Sequence, residues 1–586
     1  MMKKIALIPF ILSMAFASQS QAALTDGVYE TTVNGHNAPM TVKVTIKDHK
    51  IAAIDTSKNL ESFGVGKVAL DKTAAAILKD QTIGVDNITG ASLSSLALKS
   101  AVRTCLQKAG ATDQELKNYT RKVSHISSTP VEYKADVAII GGGGTGLAAA
   151  VSALENGAKK VVILEKLGYL GGSTNVSGGA LNAVDDKRQK AQGIDDSVQK
   201  FYEATMKGGH NVSDPKLVKV LADNAPSALL WLESMGLKFR PDVMQVYGAL
   251  WPRSHLATEP KGTGFIRVLS TKAKELGVDI LTNTKLVKII REQFDEGRAL
   301  GVLAEQKGKP FYIRATKGIV LAAGGFAANP RLRAIHDPRM LTLTTTNNQA
   351  CSTGEVMLAA NEAGAYLMGL DYIQCNPGCP PGHTSRQALH LDVSRYVFVD
   401  KRGKRFVAED ARRDVLRDAI LNLPEKFGYA IVDNDGFNSY NQVVRDDAMK
   451  GLKTGDAFKA DTLEGLAKQM GVPADQLKKT IADYNAMVDQ KKDPDFGKAE
   501  RNLSHKIEKA PYWAALSSMA VHHTMGGVRI DKETRVLDRQ GNVIKGLYAA
   551  GEVTGGIHGT NRLGGNAIAD IFTFGRIAGN SAANQK

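Results

Sequence analysis

An apolar run of strand length, Ala135 to Ile140, passes directly into Gly141-x-Gly143-x-x-Gly146 and then into a helix-forming stretch, Leu147 to Leu154. This order leaves the chain few folds. Gly141 suits a tight turn, Gly143 lets backbone approach a pyrophosphate, and Gly146 permits close packing of helix on strand. Val161 to Leu164 supplies the next strand, and Glu165 lies nineteen residues after Gly146, placed to accept hydrogen bonds from ribose hydroxyls. The pattern predicts a Rossmann-like α/β unit. On its own it leaves NAD and FAD equally open.

The 586 residues exceed what one core supports, so two or three folded units are expected. Met1 to Ala22 reads as a secretory signal, with Lys3-Lys4, an apolar run from Ile5 to Ala17, and Ser20-Gln21-Ala22 before the cleavage point. That run is too short for a permanent membrane helix, and no later stretch approaches the necessary length. A cleaved protein of a bacterial periplasm is therefore expected. The net charge of +15 suits an anionic substrate or an acidic redox partner. The basic residues are dispersed, and the densest group, Lys401-Arg402-Gly403-Lys404-Arg405, reads as a hairpin turn. Without a recognition motif, nucleic-acid binding is not expected. None of the four cysteines sits in Cys-x-x-Cys-His, so the chain attaches no c-type haem. Cys375 and Cys379 could close a small disulfide loop or stay as two thiols in a Pro/Gly-rich turn.

Ahead of the glycine fingerprint, Asp26 to Gly110 alternates short strand-like runs (Met40 to Ile46, Lys50 to Ile54) with a helical stretch, Ser94 to Gln107, which implies a small α+β unit. Asp86-Asn87-Ile88-Thr89-Gly90-Ala91-Ser92 falls just before that helix, where backbone N–H groups and the helix dipole can hold a phosphate. The same position also suits a hydroxyl that merely caps the helix. A polar stretch from Ala111 to Tyr133, with Ser127-Ser128-Thr129-Pro130, separates this unit from the next. Further on stand Gly171-Gly172-Ser173-Thr174-Asn175-Val176-Ser177-Gly178-Gly179, Leu321-Ala322-Ala323-Gly324-Gly325, His522-His523-Thr524-Met525-Gly526-Gly527, Gly546-Leu547-Tyr548-Ala549-Ala550-Gly551-Glu552 and Asn561-Arg562-Leu563-Gly564-Gly565-Asn566.

Together these segments resemble the soluble, periplasmic fumarate-reductase-type flavoproteins over nearly the whole mature chain. Among them the urocanate-reductase type, with export signal, FMN domain and no haem, is nearest. The resemblance decides for FAD. It implies a signal peptide (1–22), an FMN-binding domain (23–118), a linker (119–132), an FAD-binding domain in two pieces (133–347 and 510–586) and an α+β capping domain between them (348–509). It also implies FMN joined covalently to Ser92 by a flavin transferase. Non-covalent FAD would be held by Gly141, Gly143, Thr145, Gly146 and Glu165, by Ser173, Thr174, Gly178 and Gly179, and by Glu355, His523, Glu552, Ala567 and Ile568.

In this family a carboxylate is gripped by the first His of His-His-Thr-Met-Gly-Gly and the Arg of Asn-Arg-Leu-Gly-Gly, here His522 and Arg562. The proton donor follows a Lys-Arg-Phe-Val-x-Glu strand, here Lys404 to Glu409, and maps to Arg413. A guanidinium normally stays protonated. Arg413 could instead be an electrostatic clamp, with water, Glu409 or Asp410 passing the proton. The far end of the pocket departs from fumarate enzymes. A Gln-x-His-Pro segment reads Gln374-Cys375-Asn376-Pro377, Thr-Glu reads Ala388-Leu389, and the relay Arg reads Asp392. Cys375 and His390 stand where a Tyr and an Asp are expected beside a urocanate imidazole. His390, Asp392 and Arg395 are the nearest replacements for the lost relay. One carboxylate anchor is kept and the other dismantled, which implies a conjugated monocarboxylate such as urocanate or a cinnamate-like acid. The implied activity is anaerobic respiration, with an external c-type cytochrome or quinol dehydrogenase feeding FMN, then FAD, then the C=C bond. The alternatives are a fumarate reductase, or a flavin electron carrier docking to a cytochrome.

Overall fold

The computed structural model describes residues 24–585 except 37, 63–64, 86, 89–90, 120–131, 247, 294–295, 347–350, 381, 384–386, 391 and 441. The expected signal sequence and residues 120–131 of the linker lie outside the described residues. Two compact units divide the chain, 1–127 and 128–586. Among the described residues no helix is long and apolar enough to cross a membrane.

In the smaller unit an antiparallel meander of Gly27–Asn34, Pro39–Lys47 and Lys50–Lys58 is covered by helices Gly66–Asp80, Ser92–Lys108 and Asp113–Tyr119. The middle strand alternates as a half-buried strand must, burying Met40, Val42, Val44 and Ile46. These pack on Leu70 and Ile77 of the first helix and on Leu98, Val102 and Cys105 of the second. The second helix begins at Ser92, the residue expected to carry phosphate. The segment before it is lashed down. Ser95 Oγ accepts from Ile88 N (3.1 Å), and Lys99 Nζ donates to Val85 O (2.6 Å) and Asn87 Oδ1 (2.8 Å). Asp86, Thr89, Gly90 and the Ser92 side chain lie outside the described residues.

The larger unit is built on an eight-stranded sheet. Its parallel centre pairs Glu132–Ile140 with Val161–Glu165 on one side and with Lys309–Leu321 on the other; Asp279–Thr282 and Val543–Ala549 extend it. The expected strand–glycine–helix order is present, with the helix at Gly144–Glu155. Gly146 earns its place sterically, because a Cβ there would run into the carbonyl oxygen of Gly141. The C-terminal helix Asn566–Ala583 lies against the same helix. Gly575 and Gly579 make that approach possible, since side chains there would strike Thr145 O and Ala149 O.

A second sheet, drawn mostly from the segment expected to form the cap, runs in the order Ile373–Gly378, Tyr512–Thr524, Gly428–Val432, Val397–Val399, with Ala457–Ala460 also on the long strand. Tyr512–Thr524 is thus the central strand of this sheet. Its near-continuous burial suits a central strand covered on both faces. The expected Lys404–Glu409 strand shrinks to a single bridge, Arg405 with Val399, beyond the turn at Gly403 (φ +74°). Glu409 is drawn instead into a buried ion cluster.

Gly146→Ala will lower the melting temperature and the FAD content of the purified protein together, read by thermal unfolding and by the flavin-to-protein absorbance ratio. Full FAD content at an unchanged melting temperature would contradict the steric argument.

Candidate active site

The nucleotide cradle follows from the glycines. Gly141 adopts φ +112°, where a Cβ would lie 2.5 Å from Ala322 O, and nothing lies within 4 Å of a Cβ on Gly143. The space over Gly143 at the start of helix Gly144–Glu155 fits a pyrophosphate. Glu165 is buried and accepts from Gly142 N and Leu167 N, both at 2.8 Å, while burial pushes its carboxyl pKa up. A cleft lined by Gly141, Glu165, Lys166, Gly324 and Glu355 continues from it. Glu355 stands at its edge, mostly exposed, with its carboxylate 3.2 Å from Lys166 Nζ. Thr174 Oγ1 accepts from Gly144 N (3.3 Å), tying the second glycine-rich loop to the first. In that loop Ser173 Oγ lies 3.1 Å from Ser352 Oγ, Gly178 faces open space and Gly179 abuts Lys261 O. A Cβ at Gly551 would meet Thr145 Oγ1. Beside it, Glu552 accepts from Thr524 N (3.0 Å), and burial pushes its carboxyl up to about 7. Ala567 and Ile568 occupy the first turn of helix Asn566–Ala583. His523 is buried 3.7 Å from Glu552, held far below the usual imidazole range by burial and by Arg562. Its Nε2 has no hydrogen-bond partner among the described residues. This donor set and the open cradle fit a dinucleotide such as FAD.

Three sequence-remote segments bring two buried guanidinium groups together. Arg413 Nη1 and Arg562 Nη2 both donate to Gln374 Oε1, each at 3.0 Å. Gln374 Nε2 in turn donates to Asn561 Oδ1 (2.9 Å) and Arg562 O (2.8 Å), which orients the amide. Both arginines are buried, at 7% and 4% exposure. Among the described residues no carboxylate lies within ion-pair distance of Arg562. Burial and then the neighbouring Arg413 pull its guanidinium down to about 9. Arg562, buried beside a second guanidinium and without an ion-pair partner among the described residues, is a cation that an incoming anion would stabilise. His522, one residue before His523 on the long strand, has Nδ1 2.6 Å from Thr346 Oγ1, which fixes the ring. The sequence reading anticipates Arg413, Arg562 and His522 but passes over Gln374. Strand alternation was the available signal, since Gln374 shares a face with Asn376.

The two carboxylates offered as proton carriers are engaged elsewhere. Glu409 is fully buried and accepts from Phe398 N and Arg405, with Lys498 Nζ at 3.2 Å. Asp410 accepts from Ala499 N (2.9 Å) and Asn502 Nδ2 (2.7 Å). Their role is to pin the chain ahead of helix Arg413–Leu421, while Arg412 pairs with Asp414. At the far end, Asn376 Oδ1 is buried with no hydrogen-bond partner among the described residues, and His390 is buried. Asp392 is occupied within its own turn, accepting from Ser394 N, Ser394 Oγ and Arg395 Nε. Cys375 turns away from Gln374, and burial pushes its thiol up to about 12. Cys375 and Cys379 are both free thiols.

Known protein families match both compact units of the chain. An FAD binding domain family matches residues 136–568, and an FMN-binding domain family matches residues 35–107. A urocanate reductase of Eggerthella lenta is 36% identical over 94% of this chain and 91% of its own length. An NADH:acrylate oxidoreductase of Vibrio harveyi is 35% identical over 95% of this chain, which spans 61% of that longer protein. The open conformation of a flavocytochrome c3 fumarate reductase superposes with a TM-score of 0.66, at 38% identity over 77% of this chain and 78% of that one.

The low guanidinium value has a measurable consequence. Arg562 is charged at neutral pH and must stay charged to hold a carboxylate, so affinity requires the proton. Succinate, used as a probe in calorimetric titrations, will bind with a constant Kd from pH 7 to 8. The Kd will then weaken about tenfold per unit above pH 9, and this break will vanish in Arg562→Gln. A flat profile to pH 11 would place the anion elsewhere.

Proposed function

Since the chain belongs to the FAD-binding flavoprotein family that includes fumarate, urocanate and acrylate reductases, we propose that it is a flavin-dependent reductase of the C=C bond of an α,β-unsaturated carboxylate. Bound reduced FAD supplies the hydride. The protein's part is to hold the carboxylate, polarise the alkene and deliver a proton to the other carbon. His522 and Arg562 hold the carboxylate, and Arg413 faces the carbon that takes the proton. The observation that carries this reading is the convergence of Arg413 and Arg562 on Gln374 Oε1.

The substrate we favour is a monocarboxylate such as urocanate or a cinnamate-like acid. The support is the absence of a second cationic anchor where Asn376, Ala388 and Asp392 stand. Among the described residues the buried amide oxygen of Asn376 has no hydrogen-bond partner, and Asp392 is engaged in its turn. Within the same proposal, electrons reach FAD from FMN esterified to Ser92 by a flavin transferase. Ser92 begins a helix whose N-terminal dipole favours a phosphate. An external c-type cytochrome or quinol dehydrogenase in the periplasm is the electron source, in keeping with the Lys3-Lys4 and Ile5 to Ala17 leader and with a chain lacking Cys-x-x-Cys-His.

Reoxidation of the dye-reduced protein by fumarate, urocanate, cinnamates, acrylate and itaconate tests the reading. Fast turnover with a monocarboxylate and little with fumarate is expected. Preference for fumarate would overturn the missing-anchor argument, and no turnover with any of them would leave a flavin electron carrier. Arg413→Ala will lose about a thousandfold in turnover while keeping FAD. Ser92→Ala will carry no flavin that survives denaturation. Flavin persisting on that denatured variant would remove the ester from Ser92.

A further inference from the structure

Arg413 comes from the cap segment, yet its guanidinium rests on backbone from the other side of the fold. A Cβ built on Gly248 would lie 2.7 Å from Arg413 Nε, 2.8 Å from Cζ and 2.9 Å from Nη2. Gly248 is in the left-handed region (φ +76°), and the next residue closes a turn, with Ala249 N donating to Val246 O at 2.9 Å. The carbonyl of Gly248 also accepts from Gly564 N (2.9 Å), two residues beyond Arg562. Asn182 Nδ2 holds the carbonyl of Gly564 at 2.7 Å. A single turn therefore touches the Arg413 guanidinium with one face and the Arg562 loop with its carbonyl.

We propose that Gly248 is a positioning residue for the reaction: its bare α-carbon is the platform on which the Arg413 guanidinium lies, and its link to Gly564 sets the spacing between proton donor and carboxylate anchor. This rests on the reading of Arg413 as the group that faces the reacting carbon. A contact below 3.0 Å cannot persist once a methyl group is present. The guanidinium is the far end of a flexible side chain, held at Nη1 by Gln374 Oε1, so it yields to the methyl group before the backbone does. A displacement of about 1 Å in a reacting group can cost about a hundredfold in rate without loss of binding.

The test is Gly248→Ala in the full-length, FAD-loaded protein, with Gly236→Ala as control. Gly236 also adopts positive φ (+87°) but has nothing within 4 Å of a Cβ, so its variant carries the backbone strain without the contact. In Gly248→Ala we expect full FAD content, a succinate Kd within about twofold of the parent, kcat lowered about a hundredfold and a larger solvent deuterium isotope effect on kcat. Gly236→Ala should match the parent in all four. In an Arg413→Ala background, Gly248→Ala should add no further loss. If Gly248→Ala turns over within twofold of the parent, or its loss is as large without Arg413, the proposal fails. If Arg413→Ala itself turns over normally, the underlying reading of Arg413 fails instead. Should Gly248→Ala unfold, Arg413→Lys, which removes the planar group that the methyl strikes, must restore its melting temperature; no restoration would also overturn the proposal.

Discussion

Two buried guanidiniums meet on one side-chain oxygen, and most of the site is organised around that crowded point. Arg413 and Arg562 arrive from segments 149 residues apart (562 − 413) and share Gln374 Oε1 at 3.0 Å each. Like charges in a dry setting repel, and a neutral amide oxygen offsets only part of that cost. The rest is left for whatever anion enters. A site of this kind binds its ligand by relieving a tension already present in the protein. Glu409 and Asp410, close in sequence to Arg413, are bound to Arg405, Lys498 and the 499–502 segment.

The scaffold meets this demand with close backbone approaches. Gly141, Gly146, Gly575 and Gly579 let strand and helices approach where any side chain would collide. The result is a rigid floor for a dinucleotide, bordered by Glu165 and the Ser173–Thr174 loop. Against this floor the long strand Tyr512–Thr524 delivers His522 and His523 from the cap sheet.

The glycine framework was legible in the sequence because it is a steric requirement, local in sequence and tied to residue types with no substitutes. Arg413 and Arg562, whose guanidinium groups meet on Gln374, could be singled out because their flanking segments repeat a known pattern. Gln374 was not, because its importance exists only where two distant arginines converge. Gly248 escaped for the same reason, since its partner is 165 residues away (413 − 248). The partners of Tyr512–Thr524 were not legible, because a strand buried on both faces shows no period-two alternation to mark them. The strand expected over Lys404–Glu409 gave way because the buried pairing of Arg405 with Glu409 and Asp493 outweighs a few ladder bonds.

Because Tyr512–Thr524 is both the spine of the cap sheet and the bearer of His522 and His523, the cap is not a separable module. An exchange between relatives cut at residue 510 would set the incoming strands against the host's own central strand. A cut after Thr524 would carry the histidine pair along with the pocket wall. The central strand of the sheet and the placement of His522 and His523 are therefore inherited together.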